Sequence, residues 1–316
     1  MPRPVILGIV GDSATGKTTI SGALVDILGD EQVTHVATDD YHKYDREERK
    51  ARDITPLHPD CNYMDIIAQH LSLLREGEPI LKPVYQHEDG TFGRPEYIAP
   101  RPFAVVEGLL GYHTQGLRDT YDVRVFLAPP EELRREWKIK RDTTSRGYSE
   151  EDVHEDLDKR EPDSAEFIRP QERYADLVIT FMKPESGDPD KLDAQIVMRE
   201  TLPHPDLSPF LSDPDSGIEL IEEGSDHPYV RIPGDIKHED AEAVEEAIWE
   251  RLHFASHLRS ERLGEFTAGK ETKRSDSLAL VQLLVLYHMV TARAAVAVGG
   301  EGARTEDNGG AGEGDK

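Results

Sequence analysis

Gly11-Asp12-Ser13-Ala14-Thr15-Gly16-Lys17-Thr18 satisfies the pattern G-x-x-x-x-G-K-[ST] at every fixed position. Its flanks decide how it is read. Val5 to Val10 is an apolar run of strand length, and Lys17 to Leu28 is an amphipathic stretch of helix length. Strand, glycine loop and helix in that order curl backbone N–H groups around phosphate oxygens and aim the positive end of the helix at them. The eight residues, with Thr19 after them, are read as a cradle for the phosphates of ATP or GTP. Lys17 would reach the outer phosphates and the Thr18 hydroxyl would ligate Mg2+. A chance glycine-rich turn is the alternative, and the strand–loop–helix context argues against it.

Outward from this loop, Val33 to Thr38 is a second strand candidate that ends at Asp39 and Asp40. Tyr63 to Arg75 has helical spacing and stops at Gly77, and Ile80 to Ile98 alternates around the hairpin signal Asp89-Gly90. Phe103 to Val106 and Arg124 to Leu127 are compact strands. After Pro129-Pro130 a charged helix runs through about Arg146, followed by a shorter one from about Glu150 to Arg160 and a strand at Leu177 to Phe181. The alternation predicts an α/β fold, a P-loop architecture with a mostly parallel central sheet flanked by helices. Lys183 to Asp215, rich in Pro, Asp and Ser, reads as a linker or elaborate loop. Beyond it, strands at Ile218 to Ile221 and Tyr229 to Ile232 and helices from about Glu239 to Leu258 and from Leu278 onward predict a C-terminal α+β extension. The expected organisation is a core over 1–205 with a lid at about 130–160, an extension over 206–298 packed on it, and a disordered acidic tail over 299–316.

The chain of 316 residues carries 63 Asp+Glu against 37 Lys+Arg, a net charge of −26, and its bases are 24 Arg and only 13 Lys. Such a surface repels nucleic acid and anionic membranes, which argues against both as partners. Adaptation to high salt, where screening blunts self-repulsion, is one reading of this balance; an ordinary acidic cytosolic protein is the other. A single cysteine, Cys61, excludes an internal disulfide and a cysteine-based zinc site. The apolar run in Met1 to Val10 is too short for a signal peptide. Leu278 to Val298 is long and apolar but contains Gln282, His288 and Arg293, so a buried or interface helix is expected rather than a membrane span. A cytoplasmic location is expected.

Glu107 closes the run Phe103-Ala104-Val105-Val106 and precedes Gly108. An acid at the end of a strand beside a phosphate loop can join a metal shell; a turn acid is the plainer reading. Asp39 should emerge at the same sheet edge, where an acid can accept the proton of an attacking hydroxyl. Lys43, Arg46, Arg49, Lys50 and Arg52 form a basic cluster that a substrate phosphate would explain, against the alternative of a solvated helix offset by Glu47 and Glu48.

Taken together, these motifs resemble the phosphoribulokinase/uridine kinase family. The residues that carry the resemblance are the P-loop, Asp39-Asp40-Tyr41-His42 through Lys50, Thr55-Pro56-Leu57-His58-Pro59-Asp60-Cys61-Asn62, Lys82-Pro83-Val84-Tyr85-Gln86-His87, Val106-Glu107-Gly108-Leu109 and Trp137-Lys138-Ile139-Lys140-Arg141-Asp142 through Tyr148. Arg169-Pro170-Gln171 and Tyr174-Ala175-Asp176 complete the set. The similarity is strong over about residues 5 to 182 and weak at Pro228 to Pro233.

The resemblance implies an ATP- and Mg2+-dependent kinase whose acceptor is a sugar phosphate, ribulose 5-phosphate, converted to the 1,5-bisphosphate. It implies Asp39 as catalytic base, His42, Arg46 and Lys50 as holders of the sugar phosphate, with Tyr85 and His87 nearby, and Glu107 with Thr18 at the metal. Lys138, Arg141, Asp142 and Arg146 would lie on a mobile lid: Arg141 and Asp142 with catalytic roles, Arg146 toward the nucleotide and Lys138 toward the acceptor. An exposed, salt-bridged helix is the plainer account of that segment. A homodimer is expected. A uridine or other nucleoside kinase, a kinase of another pentose phosphate, and a nucleotide-binding regulator without activity are the alternative readings. In one respect the chain departs from the photosynthetic members it resembles: their disulfide switch joins a P-loop cysteine to one just before the acidic pair, and here Thr15 and Ala37 stand at those positions.

Overall fold

The first strand, β1 (Val5–Gly11), is buried at every position. Such a continuous apolar run suits the middle of a sheet covered on both faces. In the computed structural model, which describes residues 2–213, 215–222, 227–258, 261–268 and 271–304, β1 occupies that place. After it come α1 (Lys17–Leu28), β2 (Val33–Ala37), α2 (Arg46–Arg52), α3 (Met64–Glu76), β3 (Ile80–Lys82), β4 (Tyr85–Gln86), β5 (Thr91–Phe92), β6 (Glu96–Ile98) and β7 (Phe103–Gly108). The middle of the chain forms α4 (Gln115–Arg118), β8 (Val123–Leu127), α5 (Glu131–Ser145), α6 (Glu150–Asp163), β9 (Leu177–Met182) and β10 (Asp193–Met198). The rest is α7 (Ser208–Leu211), β11 (Glu219–Ile221), β12 (Tyr229–Ile232), α8 (His238–Arg251), β13 (Glu265–Ala268), β14 (Glu271–Arg274) and α9 (Asp276–Ala297).

Eight strands form the main sheet in the order β11-β12-β10-β9-β8-β1-β7-β2. The pairs from β2 to β9 are parallel, and β10, β12 and β11 are added antiparallel. Parallel neighbours bring their C-terminal ends to one edge, so β1, β7 and β2 deliver the phosphate loop, Glu107 and Asp39 side by side; Ala37 and Glu107 are direct register partners. Between β3 and β6, which pair with each other, β4 and β5 form the inner hairpin that Asp89-Gly90 predicts.

The segment expected to be a linker contains β10, whose Ala194 and Ile196 are buried. Six residues with two inward apolar side chains, flanked by Pro and Asp, leave too short an alternation to read as a strand. The hairpin β13–β14 is likewise absent from the expectation, because β14 is exposed throughout and has no apolar face. α9 is the apolar stretch near the C-terminal end, and each of its intruding polar side chains meets the protein: Gln282 accepts through Oε1 from the Gly264 N–H at 2.7 Å while its buried Nε2 has no hydrogen-bond partner among the described residues, His288 meets His204 at 3.3 Å, and Arg293 donates to the Arg3 carbonyl at 2.8 Å. It shares one apolar cluster with β1, α1 and β8. At the foot of the sheet Arg304 pairs bidentately with the fully buried Asp176 at 2.6 and 2.7 Å, which places the first residues of the expected acidic tail. Residues 305–316 of that tail lie outside the described residues.

Candidate active site

The loop after β1 turns sharply. Gly16 has φ 92° and Ala14 φ 66°, the second a left-handed conformation that costs a non-glycine residue of order 1 kcal/mol. Lys17 bends back, and its ammonium donates to the carbonyls of Gly11 (2.9 Å) and Asp12 (2.7 Å). Burial pushes the Lys17 ammonium below its ordinary range, while Asp39, Glu107 and Asp12 pull it back up. The Thr18 hydroxyl lies 3.2 Å from Glu107 Oε2, and His35 on β2 reaches Glu107 Oε1 at 3.2 Å. A hydroxyl and a carboxylate converging beside the loop are hard oxygen donors of the kind Mg2+ takes. Among the described residues no cluster of three or more His, Cys, Asp or Glu could hold an ion unaided, so such a cation would complete its shell with phosphate oxygens and water. Gly108 is required next to Glu107: a Cβ there would lie 1.7 Å from Thr38 Oγ1.

The two acids after β2 sit in a short 3-10 turn, Thr38–Tyr41, and part company. Asp40 accepts from the Tyr85 N–H at 2.8 Å and pairs with the buried Lys82 ammonium, so it fastens the hairpin region to the turn. Asp39 keeps its oxygens for the site, with His87 Nε2 4.0 Å away. Burial works to raise the Asp39 pKa, but the charges of His42, Lys17, His87 and Arg160 outweigh it and hold the carboxyl below its usual range. His42 is buried, hydrogen-bonded through Nδ1 to Asn62 Oδ1 at 2.7 Å, and packs edge-on against Tyr85 at 5.0 Å. His87 packs on the same tyrosine at 5.0 Å.

Between α2, α5 and α6 opens a cavity of about 420 Å3 whose wall includes Arg46, Arg49, Lys50, Arg146, Lys159 and Arg160. Lys50 makes no ion pair among the described residues. Arg46 instead donates to the carbonyls of His87 (2.6 Å) and Glu88 (3.4 Å), bracing the β4–β5 turn. Arg49 donates to the Tyr44 carbonyl at 2.7 Å and to the Tyr85 hydroxyl.

Asp142 is the hub of the α5 side. Its carboxylate accepts from Lys138 at 2.8 Å and Arg141 at 2.8 Å, with Arg146 at 3.5 Å. Burial opposes ionisation, yet the hydrogen bonds from Arg141 and Lys138 lower its pKa to about 2. This buried counter-ion orients three bases. Lys138 also pairs with Asp156 of α6 at 3.1 Å and is only 3% exposed, so its ammonium is committed within the helix pair. α5 touches the phosphate loop directly: Arg134 donates to the Ser13 carbonyl at 3.1 Å and lies 3.5 Å from Asp12, and Arg141 reaches Ser13 Oγ at 3.4 Å.

The structure thus gathers Lys17, Thr18, Asp39, His42, His87, Glu107, Arg141 and Arg146 around one edge of the sheet. To the basic cluster that already included Arg49 it adds Lys159 and Arg160 of α6, whose bases read in sequence as ordinary helix-surface charge. Arg160 acts on Asp39 and Lys138 alike. Only the approach of α6 to α2, fastened by Lys159 with Asp53 at 2.5 Å, turns those bases into one wall.

A sequence model of the Phosphoribulokinase / Uridine kinase family matches residues 6–186. The phosphoribulokinase of Synechocystis sp. is 36% identical over 203 residues, covering 63% of this chain and 61% of that protein. The chloroplastic phosphoribulokinase of Arabidopsis thaliana is 31% identical over 239 residues, covering 69% and 60%. The uridine kinase of Latilactobacillus sakei is 31% identical over 188 residues, covering 58% and 87%. The match therefore spans 61% and 60% of the length of those two phosphoribulokinases. The solved phosphoribulokinase from Rhodobacter spheroides shares the fold, with a TM-score of 0.60 at 18% identity over 82% of this chain and 98% of that one. With more than half its length matched, and with the phosphate loop, Glu107 and Asp39 on adjacent strands, the chain belongs to the phosphoribulokinase/uridine kinase family.

Proposed function

We propose that the chain is a kinase that transfers the γ-phosphoryl group of ATP to the free primary hydroxyl of D-ribulose 5-phosphate, giving ribulose 1,5-bisphosphate. The observation that carries this reading is the cationic cavity between α2, α5 and α6, whose Arg160 and Arg146 lie within the field of Asp39. An acceptor phosphate seated among these bases would present its far hydroxyl to Asp39.

In the proposed reaction Lys17 exchanges the Gly11 and Asp12 carbonyls for outer phosphate oxygens. Thr18 and Glu107 would hold Mg2+, which neutralises phosphate charge when bound. Arg141 and Arg146, oriented by Asp142, would add positive charge as α5 and α6 close on the nucleotide and exclude water. Asp39 accepts the hydroxyl proton at its carboxylate. With its pKa held low it is a weak base, which suits a loose transition state in which that proton leaves late. A homodimer and a cytoplasmic setting belong to the same proposal.

The uridine kinase relative supports a second reading, a nucleoside acceptor. Arg146, Lys159 and Arg160 already pair with Asp142, Asp53 and Asp156, but Arg46, Arg49 and Lys50 have no ion-pair partner among the described residues. An uncharged nucleoside would leave these three without a counter-ion, and that favours the phosphorylated acceptor. Lys50 is the clean probe, because Arg46 also braces the hairpin. Lys50→Ala is expected to raise the KM for ribulose 5-phosphate roughly tenfold or more, the worth of one charge-assisted contact, with the ATP KM nearly unchanged. Robust phosphorylation of uridine or cytidine, indifferent to Lys50→Ala and Arg46→Ala, would overturn the acceptor and leave the kinase reading standing.

A further inference from the structure

Two adjacent side chains where α6 ends reach two different parts of the site. Pro162 has no N–H to give the α-helical ladder, and after Asp163 the chain widens into a five-residue π-turn, Ser164–Ile168. Asp163 Oδ2 accepts from the Thr55 hydroxyl at 2.5 Å. Ser164, only 1% exposed, donates its hydroxyl to Asp12 Oδ2 in the phosphate loop. The turn itself is anchored. Ile168 packs with Leu57, Leu109 and Leu110 in a small apolar cluster, and the Gln171 amide donates to the Leu109 and Phe167 carbonyls, each at 2.8 Å.

In the phosphate loop Asp12 is buried, and its other oxygen, Oδ1, accepts from the Ser13 N–H at 2.6 Å with Arg134 3.5 Å away. Arg134 also donates to the Ser13 carbonyl at 3.1 Å. The N–H and the carbonyl of Ser13 are therefore both held, immediately before Ala14. The left-handed φ of 66° at Ala14 persists only where the surroundings over-determine it. Without the Ser164 hydroxyl, Asp12 Oδ2 would lose its donor in a buried place and the carboxylate would be free to turn. At the other end of the bridge, the Thr55 hydroxyl oxygen accepts from the Leu57 N–H at 3.1 Å, and Thr55 and Pro56 line the cationic cavity. Asp163 and Ser164 are not part of the cavity lining, so neither is placed to touch an acceptor seated there.

We infer that Asp163 and Ser164 form a joint that couples the phosphate loop to the acceptor cavity, with Ser164 as a positioning residue that acts on the loop through Asp12. Nucleotide phosphates seated in the loop fix Asp12, and the joint passes that order on to Thr55. The second substrate then meets a wall that is already ordered and binds more tightly. Linkage makes the effect mutual, so the acceptor tightens the nucleotide by the same factor. The acceptor half of this inference rests on the proposed reading of the cavity; the half that runs from the phosphate loop to Thr55 does not.

Hydrogen–deuterium exchange reads the coupling with no acceptor present. With Mg2+ and a saturating β,γ-imido analogue of ATP, exchange across residues 54–62 is expected to slow in wild type and to keep its unliganded rate in Ser164→Ala. Unchanged exchange in wild type, or equal slowing in both proteins, overturns the inference. Thr55→Val cuts the same bridge from its far end and is expected to lose the response as well, which keeps the test decisive if Ser164→Ala does not fold. Calorimetry supplies the acceptor arm. The analogue is expected to tighten ribulose 5-phosphate binding to wild type roughly tenfold and to leave it unchanged in the two variants. The same tightening in all three proteins also overturns the inference. Ribulose 5-phosphate that binds neither with the analogue nor without it would mark a failure of the acceptor assignment, and the exchange result would still decide the joint.

Discussion

Replacing Asp39 removes the acid at the end of β2 whose oxygens are not already committed to the protein, since Asp40 is held by Lys82 and the Tyr85 N–H. Asp39→Asn is expected to lower kcat by about 10² or more with little change in the ATP KM, as measured by steady-state kinetics. Asp40→Asn should instead loosen the hairpin and appear first as a lower Tm, on the order of 1–3 kcal/mol. Lys17→Ala is expected to abolish turnover and leave the thermal unfolding curve in place, because the ammonium caps two loop carbonyls and fills no core. A protein that only senses nucleotide would show no turnover to lose. Which acid is free was beyond the reach of sequence: adjacent aspartates look alike until Lys82 arrives from forty residues away. The phosphate loop was legible because its glycines and lysine have one physical use in that order. Lys159 and Arg160 were not, because a base on a helix reads the same whether it faces water or a cavity.

α5 owes its arrangement of bases to one buried carboxylate. With its folded-state pKa near 2 against an ordinary 3.8, Asp142 contributes stability that is fully present above about pH 4 and is lost as pH falls from there through 2. That contribution is on the order of 2 kcal/mol. The Tm difference between wild type and Asp142→Asn, followed by calorimetry, is expected to be constant from pH 7 to about 5 and to close between about 4 and 2. A gap independent of pH would mean that the carboxylate does not hold these bases by its charge. Among the elements, those with strong periodicity or a fully apolar run were read at nearly their observed bounds: β1, α1, α3, β8 and α9. β10 was missed because a strand that pairs antiparallel beside β9 needs only Ala194 and Ile196 on its inner face, and two residues make no pattern. α2 has no buried residue at all; its place is set by a capping box at Asp45 and Glu48 and by Arg46 and Arg49 gripping the neighbouring loops.

A net charge of −26 is spread over a molecule whose bases are largely drawn into named ion pairs and the cavity wall. Repulsion among the remaining surface acids should therefore be the first term that salt relieves. The Tm is expected to rise from dilute buffer to molar KCl; a steady fall over that series would remove the high-salt reading. The mostly parallel sheet could be inferred at this scale from strands alternating with helices. The antiparallel continuation through β10, β12 and β11 could not, because pairing order is fixed by contacts between segments far apart in the chain. At Cys61 the fold leaves a practical opening. The lone thiol is fully buried, and burial pushes its pKa up to about 11 despite the bases around it. A thiol so seldom ionised reacts slowly with maleimides and methanethiosulfonates. Cysteines introduced at exposed Glu151 on α6 and Gln69 on α3 would then take a pair of spin labels without first stripping the native residue. The distance between the two nitroxides, followed by pulsed dipolar spectroscopy as ATP is added, would test the proposed closure of the helix pair in an otherwise unaltered protein.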